Sequence, residues 1–240
     1  RGGAVAGSSR RKGVARRQAG GFRCSPSEES GTAGRETPYG APQGIPSMKM
    51  VLASASPRRR DLLEQAGFEL TIRPAHVDES PYPEERPVDH VCRLAAAKAE
   101  AVAESVADCV VLGADTVVVA PNDGILGKPA DALEARRMLA SLSGRWHDVV
   151  TGVCLTHRRR GIRDVWWCNT RVCFRELSRD DIDAYLERVD PLDKAGGYAI
   201  QEHGEMIVSE IDGRRSNVIG LPVEEVVERC RLVTAGGGVK

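Results

Sequence analysis

The chain has 240 residues, room for one large domain or two small ones, with 41% hydrophobic residues and a formal net charge of zero. That zero hides an asymmetry, because residues 1–47 hold eight Arg or Lys against three Glu and residues 48–240 carry the compensating negative excess. No apolar run approaches the roughly 18 residues of a membrane-spanning helix, and the seven cysteines show neither Cys-x-x-Cys spacing nor Cys/His clustering. This argues against structural zinc and for reduced, mostly buried thiols in a cytoplasmic protein.

Residues 1–47 are rich in Gly, Ser and Ala and nearly free of large apolar side chains. Such a segment buries too little surface to offset its chain entropy, so it is expected to be a disordered basic extension. Its composition also fits a transit peptide. A nucleic-acid-binding tail is the weaker reading, for want of interleaved aromatics. The preferred expectation is that Met48-Lys49-Met50 marks the true start, with 1–47 upstream of it, and that residues 48–240 are the domain.

From there helical and strand patterns interleave. Met50–Ala53 reads as a strand, and Ser56 as the N-cap of a short helix with Pro57 at its first position and Gly67 as its stop. Glu69–Arg73 is a second strand. Val88–Val106 is a helix with an apolar stripe of Val91, Leu94, Ala95, Lys98 and Val102. Cys109–Ala120 is a continuous β-branched run, as in a strand buried on both faces. A turn at Asn122-Asp123-Gly124 precedes a helix opened by a capping box, Asp131 to Glu134, and closed by Gly144. Strands at Asp148–His157 and Asp164–Glu176 follow, then a Ser178-capped helix to about Val189 and a polar Gly-rich loop over 190–203. A hairpin of Met206–Ile211 and Ser216–Ile219 around Asp212-Gly213, and a final helix over Val223–Val233, complete the order. The pattern predicts an α/β (α+β) protein, a mixed twisted sheet flanked by helices.

Several features point beyond a purely structural role. Arg58, Arg59 and Arg60 occupy a first helical turn, where the macrodipole makes each cation cost about 0.3–1 kcal/mol. After a strand and a Ser-rich turn containing Ser54, that cluster reads as an anion site, against the bland alternative of a solvated basic cap. Asp115 lies in the middle of the apolar run Val110–Val119. A lone buried carboxylate must meet a cation, a metal or a proton, so it is a candidate metal ligand or general base, or else a strand-end turn residue beside Gly113. Lys98 falls on its helix's apolar stripe, either snorkelling or reaching a phosphate oxygen, and Lys128 lies in the loop after the Asp115 strand. Glu79, in a Pro-rich loop with Asp78, would complete an oxygen-rich Mg²⁺ site with Asp115 if Arg58, Lys98 and Asp115 converge. The segment Asp193–Gln201, with Lys194, Tyr198 and Gln201, suits a wall around a flat ring as well as it suits a generic loop.

Taken in order, Leu52-Ala-Ser-Ala-Ser-Pro-Arg-Arg59, Gly113-Ala-Asp-Thr116, Gly127-Lys-Pro129, Leu142-Ser-Gly144, Asp193-Lys-Ala-Gly196, Tyr198 with Gln201, and Gly220-Leu-Pro222 resemble the Maf family of nucleoside triphosphate pyrophosphatases over residues 50–228 or so. The resemblance implies an inosine-triphosphate-pyrophosphatase-like fold with a central cleft. The implied reaction is hydrolysis between the α- and β-phosphates to a nucleoside monophosphate and pyrophosphate. A divalent cation is implied with it, Mg²⁺ first, with Mn²⁺ and Co²⁺ as alternatives. Asp115 matches the family's proton acceptor, Lys98 and Lys128 its active-site lysines, Ser54 and Arg59 its phosphate-binding turn, and Glu79 an acidic residue near the metal. Arg58, Thr116 and Gln201 resemble the subgroup acting on dTTP and UTP. Gln201 has the donor and acceptor to pair with a pyrimidine edge. The resemblance also makes a homodimer an expectation, with a nucleoside triphosphate as the partner and neither membrane nor nucleic acid. A non-enzymatic regulator of septum formation is the alternative reading. Two expectations are specific to this chain. Gly197 and Ala199 stand where the family more often has Ala and Gly, which would shift the loop. Arg59→Ala should be slower but slightly more stable, because a cation leaves the helix N-terminus.

Overall fold

The computed structural model describes residues 48–234 except 107 and 123, so the expectations about 1–47 lie outside the described residues. Strand β1 (Met48–Leu52) leads into α1 (Pro57–Gln65), then β2 (Phe68–Ile72), α2 (Pro87–Ala103), β3 (Val110–Val119) and the short β4 (Ile125–Leu126). Helix α3 (Ala132–Leu142), β5 (Trp146–His157), β6 (Ile162–Phe174) and α4 (Arg179–Leu186) follow, and the chain closes with β7 (Val208–Asp212), α5 (Arg215–Ile219) and α6 (Val223–Thr234). The strands form one seven-stranded sheet in the order β2-β1-β3-β5-β6-β7, with β4 pairing β3. β1 runs parallel to β2 and β3, while β3, β5, β6 and β7 pair antiparallel, so the sheet is mixed as expected.

Alternation along β3 divides the core. Val110, Leu112 and Ala114 pack with α1 and α6, while Val111 joins the alanine stripe of α2 on the opposite face. Farther along, Val118 meets α3 and α4. The all-apolar run of β3 is thus explained by burial on both faces.

Most local signals hold. Ser56 caps α1 by accepting the Arg59 N–H, and Asp131 caps α3 by accepting from Glu134. Only half of the expected capping box at α3 is present, because the Glu134 carboxylate takes the N–H of Ala130 instead. The predicted hairpin is the clear correction. β7 is a strand, but residues 215–219 form helix α5. Gly213, at φ +124°, turns the chain back over β6, where Asn217 Nδ2 donates to Val149 O and Thr170 Oγ1 at 2.9 and 3.2 Å. A short polar segment whose side chains satisfy buried groups on the sheet has no reason to pair as a strand.

Candidate active site: a cleft where the parallel strands end

β1 pairs with β3 only as far as Leu52↔Leu112, and β4 takes up the same edge only at Val118↔Leu126. Between those limits the edge of β3 is open, and the site lies there, at the carboxyl end of the parallel strands as α/β sheets usually place it. A cleft of about 880 Å³ crosses this gap, with the Ser54–Arg59 turn, Glu79, Lys98, Asp115, Lys128 and Gln201 among its lining.

Asp115 and Thr116 leave β3 on opposite faces. On the α2 side, Lys98 Nζ donates to Asp115 Oδ1 at 2.7 Å and meets Glu79 Oε1 at 2.6 Å. One ammonium thus holds two carboxylates together. Lys98 and Asp115 are buried and Glu79 is more than half exposed. Burial alone would raise the Glu79 carboxyl, but the Lys98 hydrogen bond and the charges of Lys98, Lys128 and Arg59 outweigh it and hold it below its ordinary value.

α2 can come this close because the sheet has two notches beneath it. A Cβ at Gly113 would lie 2.3 Å from Ala95 O, and one at Gly152 would lie 2.3 Å from Val91 O. Backbone meets backbone at both points, so the Lys98 stripe rests directly on β3 and β5. Gly113 is therefore a packing glycine of the strand, not a strand-end turn.

On the other face Arg59 closes the open edge of β3. Its Nη1 donates to Ala114 O at 2.9 Å and Ser54 Oγ at 3.1 Å, its Nε to Gly220 O at 2.9 Å, and its Nη2 to Thr116 Oγ1 at 3.0 Å. Thr116 in turn bonds Thr151. Four of the guanidinium's five N–H groups are therefore committed to protein acceptors. Arg59, expected in the phosphate-binding turn, is thus first a buried strut, with one N–H left over.

Arg58 does not join Lys98 and Asp115. It reaches the glycine loop, where Nη1 donates to Asp193 Oδ2 at 3.0 Å and Nη2 to Asp193 O at 3.4 Å. Arg60 is exposed and pairs with Asp61 and Glu64, so its solvated reading holds. Lys194 is buried and spends its ammonium on Asp193 (2.6 Å), Asp190 O (2.8 Å) and Glu202 (3.3 Å), stapling both ends of the loop. Gly196 and Gly197 sit at φ +70° and +73°, a conformation that glycine takes without cost. The glycine displaced to 197 thus lies where a left-handed residue is used, and Ala199 carries no such demand.

Lys128 is exposed at the cleft on a segment tied to the loop by Gly196 N donating to Gly127 O at 2.9 Å. Gln201 is exposed at the rim. Asp78 turns away, accepting the Ser80 N–H at 2.9 Å.

The sequence reading missed two partners, Asp193 for Arg58 and Glu202 for Lys194. Asp193 was visible in its motif, but nothing local says that it faces a residue 135 positions earlier. His147 was also passed over. It is buried under the loop, 2.8 Å from Tyr198 Oη, and burial lowers its pKa to about 4.

Among the described residues no group of three His, Cys, Asp or Glu is placed to hold a metal by itself. Glu79 and Asp115 are two hard oxygen donors converging on one cation position, occupied by Lys98 Nζ. That donor set fits Mg²⁺, which is commonly held by one or two carboxylates plus substrate phosphates and water.

Fold and site together define an α/β protein with a cation-lined cleft for an anionic ligand. The chain belongs to the Maf family: residues 49–232 match the family described as Maf-like protein. Among its relatives, a protein of Moorella thermoacetica named dTTP/UTP pyrophosphatase is 50% identical over 75% of this chain and 92% of its own length. One of the same name from Citrifermentans bemidjiense is 47% identical over 78% of this chain and 97% of its own. A solved structure, a HAM1 protein from Coxiella burnetii, covers 78% of this chain and 99% of its own at 15% identity, with a TM-score of 0.45.

Proposed function

We propose that the chain is a nucleoside triphosphate pyrophosphatase that hydrolyses dTTP and UTP to the nucleoside monophosphate and pyrophosphate. The observation that carries this reading is the Glu79–Lys98–Asp115 arrangement in a cleft of nucleotide size, in a chain about half identical to proteins named for that activity.

In this reading the phosphates lie along the Ser54–Arg59 turn. The positive end of the α1 dipole, the remaining N–H of Arg59 and the ammonium groups of Lys98 and Lys128 face charge that grows on phosphoryl oxygens. Asp115 Oδ1, on Lys98 at 2.7 Å, is the group that takes the proton of the attacking water. Stabilisation of phosphoryl charge supplies most of the rate, since phosphoryl transfer asks little covalent chemistry of the protein. Glu79 and Asp115 are the residues that would hold a divalent cation, Mg²⁺ first, which would neutralise phosphate charge when bound. The base rests against the loop from Asp193 to Gln201, with Arg58, Thr116 and Gln201 setting the pyrimidine preference. The six described cysteines are all free thiols, as a reducing compartment such as the cytoplasm keeps them.

The test is a nucleotide panel with the full chain and Mg²⁺. Pyrophosphate should be the first product, released faster from dTTP and UTP than from ATP or GTP. A flat profile, or orthophosphate as first product, overturns the assignment. Asp115→Asn should lower kcat by about 10²–10⁴-fold; an unaffected rate would leave a binding-only regulator as the better reading.

A further inference from the structure

Glu79 stands on a segment, residues 73–86, that joins β2 to α2 without regular structure. Segments of this length without secondary structure of their own are uncommon unless something functional holds them. What holds this one is a compact polar hub. Arg93, on α2, forks onto Glu85, with Nε to Oε1 at 2.6 Å and Nη2 to Oε2 at 2.7 Å. The Glu85 carboxylate also accepts the N–H of Tyr82 at 3.1 Å and lies 2.9 Å from His90 Nδ1. The Arg93 guanidinium covers the Tyr82 ring at 4.0 Å, and its Nη2 donates to Ser80 O at 3.1 Å, one residue past Glu79.

Two further observations say that this hub imposes a shape. The Glu85 side chain is only 8% exposed although it is charged, so its neighbours are part of the fold and not solvent decoration. Glu84, in the turn three residues before α2, sits at φ +58°, a left-handed conformation that a non-glycine residue adopts only when its surroundings require it. The Arg93 hydrogen bonds come first among the causes that hold the Glu85 carboxyl at about 2. The pair therefore stays ionised well into acid.

We infer that Arg93 and Glu85 are positioning residues for the reaction: as a bidentate latch between α2 and the segment 73–86, they fix the backbone beside Glu79 and so hold its carboxylate on Lys98. Both Lys98 and Arg93 belong to α2, so one rigid helix sets the two ends of the Glu79 contact. The latch touches neither substrate nor reacting atoms. This inference rests on the reading of Glu79 as an acidic residue of the site.

The experiment is a double-mutant cycle on full-length chain, with dTTP hydrolysis and thermal unfolding measured for native, Arg93→Gln, Glu79→Gln and the double variant. Arg93→Gln should fall by about 10–100-fold in kcat, the usual loss when a partner behind a site residue is removed. The double variant should be no slower than Glu79→Gln alone, because the latch has nothing left to position. A merely structural role would carry the same penalty into both backgrounds, and that result overturns the inference. So does a native rate for Arg93→Gln. Glu85→Gln opens the same latch from the other side and should give the same pattern; loss of cooperative folding in both variants overturns it too, since a latch local to one segment leaves the core intact. If Glu79→Gln itself keeps the native rate, the role given to Glu79 falls first, and that failure is distinct from failure of the latch.

Discussion

A guanidinium buried behind the first turn of α1 is opposed by the helix dipole and by desolvation, the leading cause that lowers the Arg59 pKa. What outweighs both is the open edge of β3. Ala114 O and Gly220 O are backbone acceptors at that edge, and Arg59 satisfies them. The sequence expectation that Arg59→Ala would stabilise the protein counted only the dipole, worth roughly 0.3–1 kcal/mol. Leaving buried acceptors unpaired costs about 1–3 kcal/mol each. Arg59→Ala should therefore destabilise by about 2–4 kcal/mol in denaturant titrations, and a gain in stability would return the argument to the dipole. The triple-Arg anomaly was legible because it breaks a local rule. Which arginine goes where was not, because their acceptors lie from the adjacent Asp61 to Gly220, 161 positions beyond Arg59.

At the scale of elements, the stripe of α2 was readable from spacing, and so was Lys98 as its odd member. The two glycine notches that seat the helix were not, because Gly113 and Gly152 lie in different strands and neither shows its neighbour. Gly152→Ala should push α2 away from β5, since the new methyl would meet Val91 backbone and not a flexible side-chain end. Stability should drop by about 1–3 kcal/mol or more, and activity should fall with it as Lys98 loses its distance to Asp115. Full activity in that variant would mean that the helix seat does not set the site.

The glycine loop makes a second prediction. His147 supports Tyr198 from below, and burial lowers its pKa from 6.5 to about 4. Between those values the unfolded chain takes up a proton that the folded chain refuses. This group's contribution is intact above pH 6.5 and is lost as pH falls toward 4, a swing on the order of 3 kcal/mol. Urea titrations at pH 7 and pH 4.5 should show that loss, and His147→Gln should show less of it. Equal acid sensitivity in the two proteins would assign the loss to other groups. The loop looked generic in sequence because its glycines and charges suit a solvated turn as well as a stapled one, and the staple (Lys194 to Asp190, Asp193 and Glu202) depends on the loop closing on itself.

For the whole molecule, strand and helix order was largely legible from alternation, caps and turns. Pairing direction was not, because the same apolar run serves a parallel or an antiparallel neighbour, and β3 has both. That mixed pairing opens the gap that becomes the cleft. Its walls are drawn from distant parts of the chain, with Ser54 to Arg59 from the turn that leads into α1 and its first residues, and Gly220 from the loop between α5 and α6. A ligand filling it bridges early and late elements, so its binding energy should appear in the unfolding of the whole domain and not as local ordering. Full-length Asp115→Asn with Mg²⁺ can bind without turning over its ligand. With dTTP at about 100 times its dissociation constant, linkage adds roughly 2.7 kcal/mol. For a domain of this size each kcal/mol moves the melting temperature by about 2–4 °C, so the expected rise is roughly 5–10 °C in a single transition. ATP at the same concentration should give a smaller shift if the Arg58–Asp193 side of the cleft selects the base. Equal shifts for the two nucleotides would locate recognition in the phosphates alone, and a biphasic melt would show that the cleft walls do not unfold together.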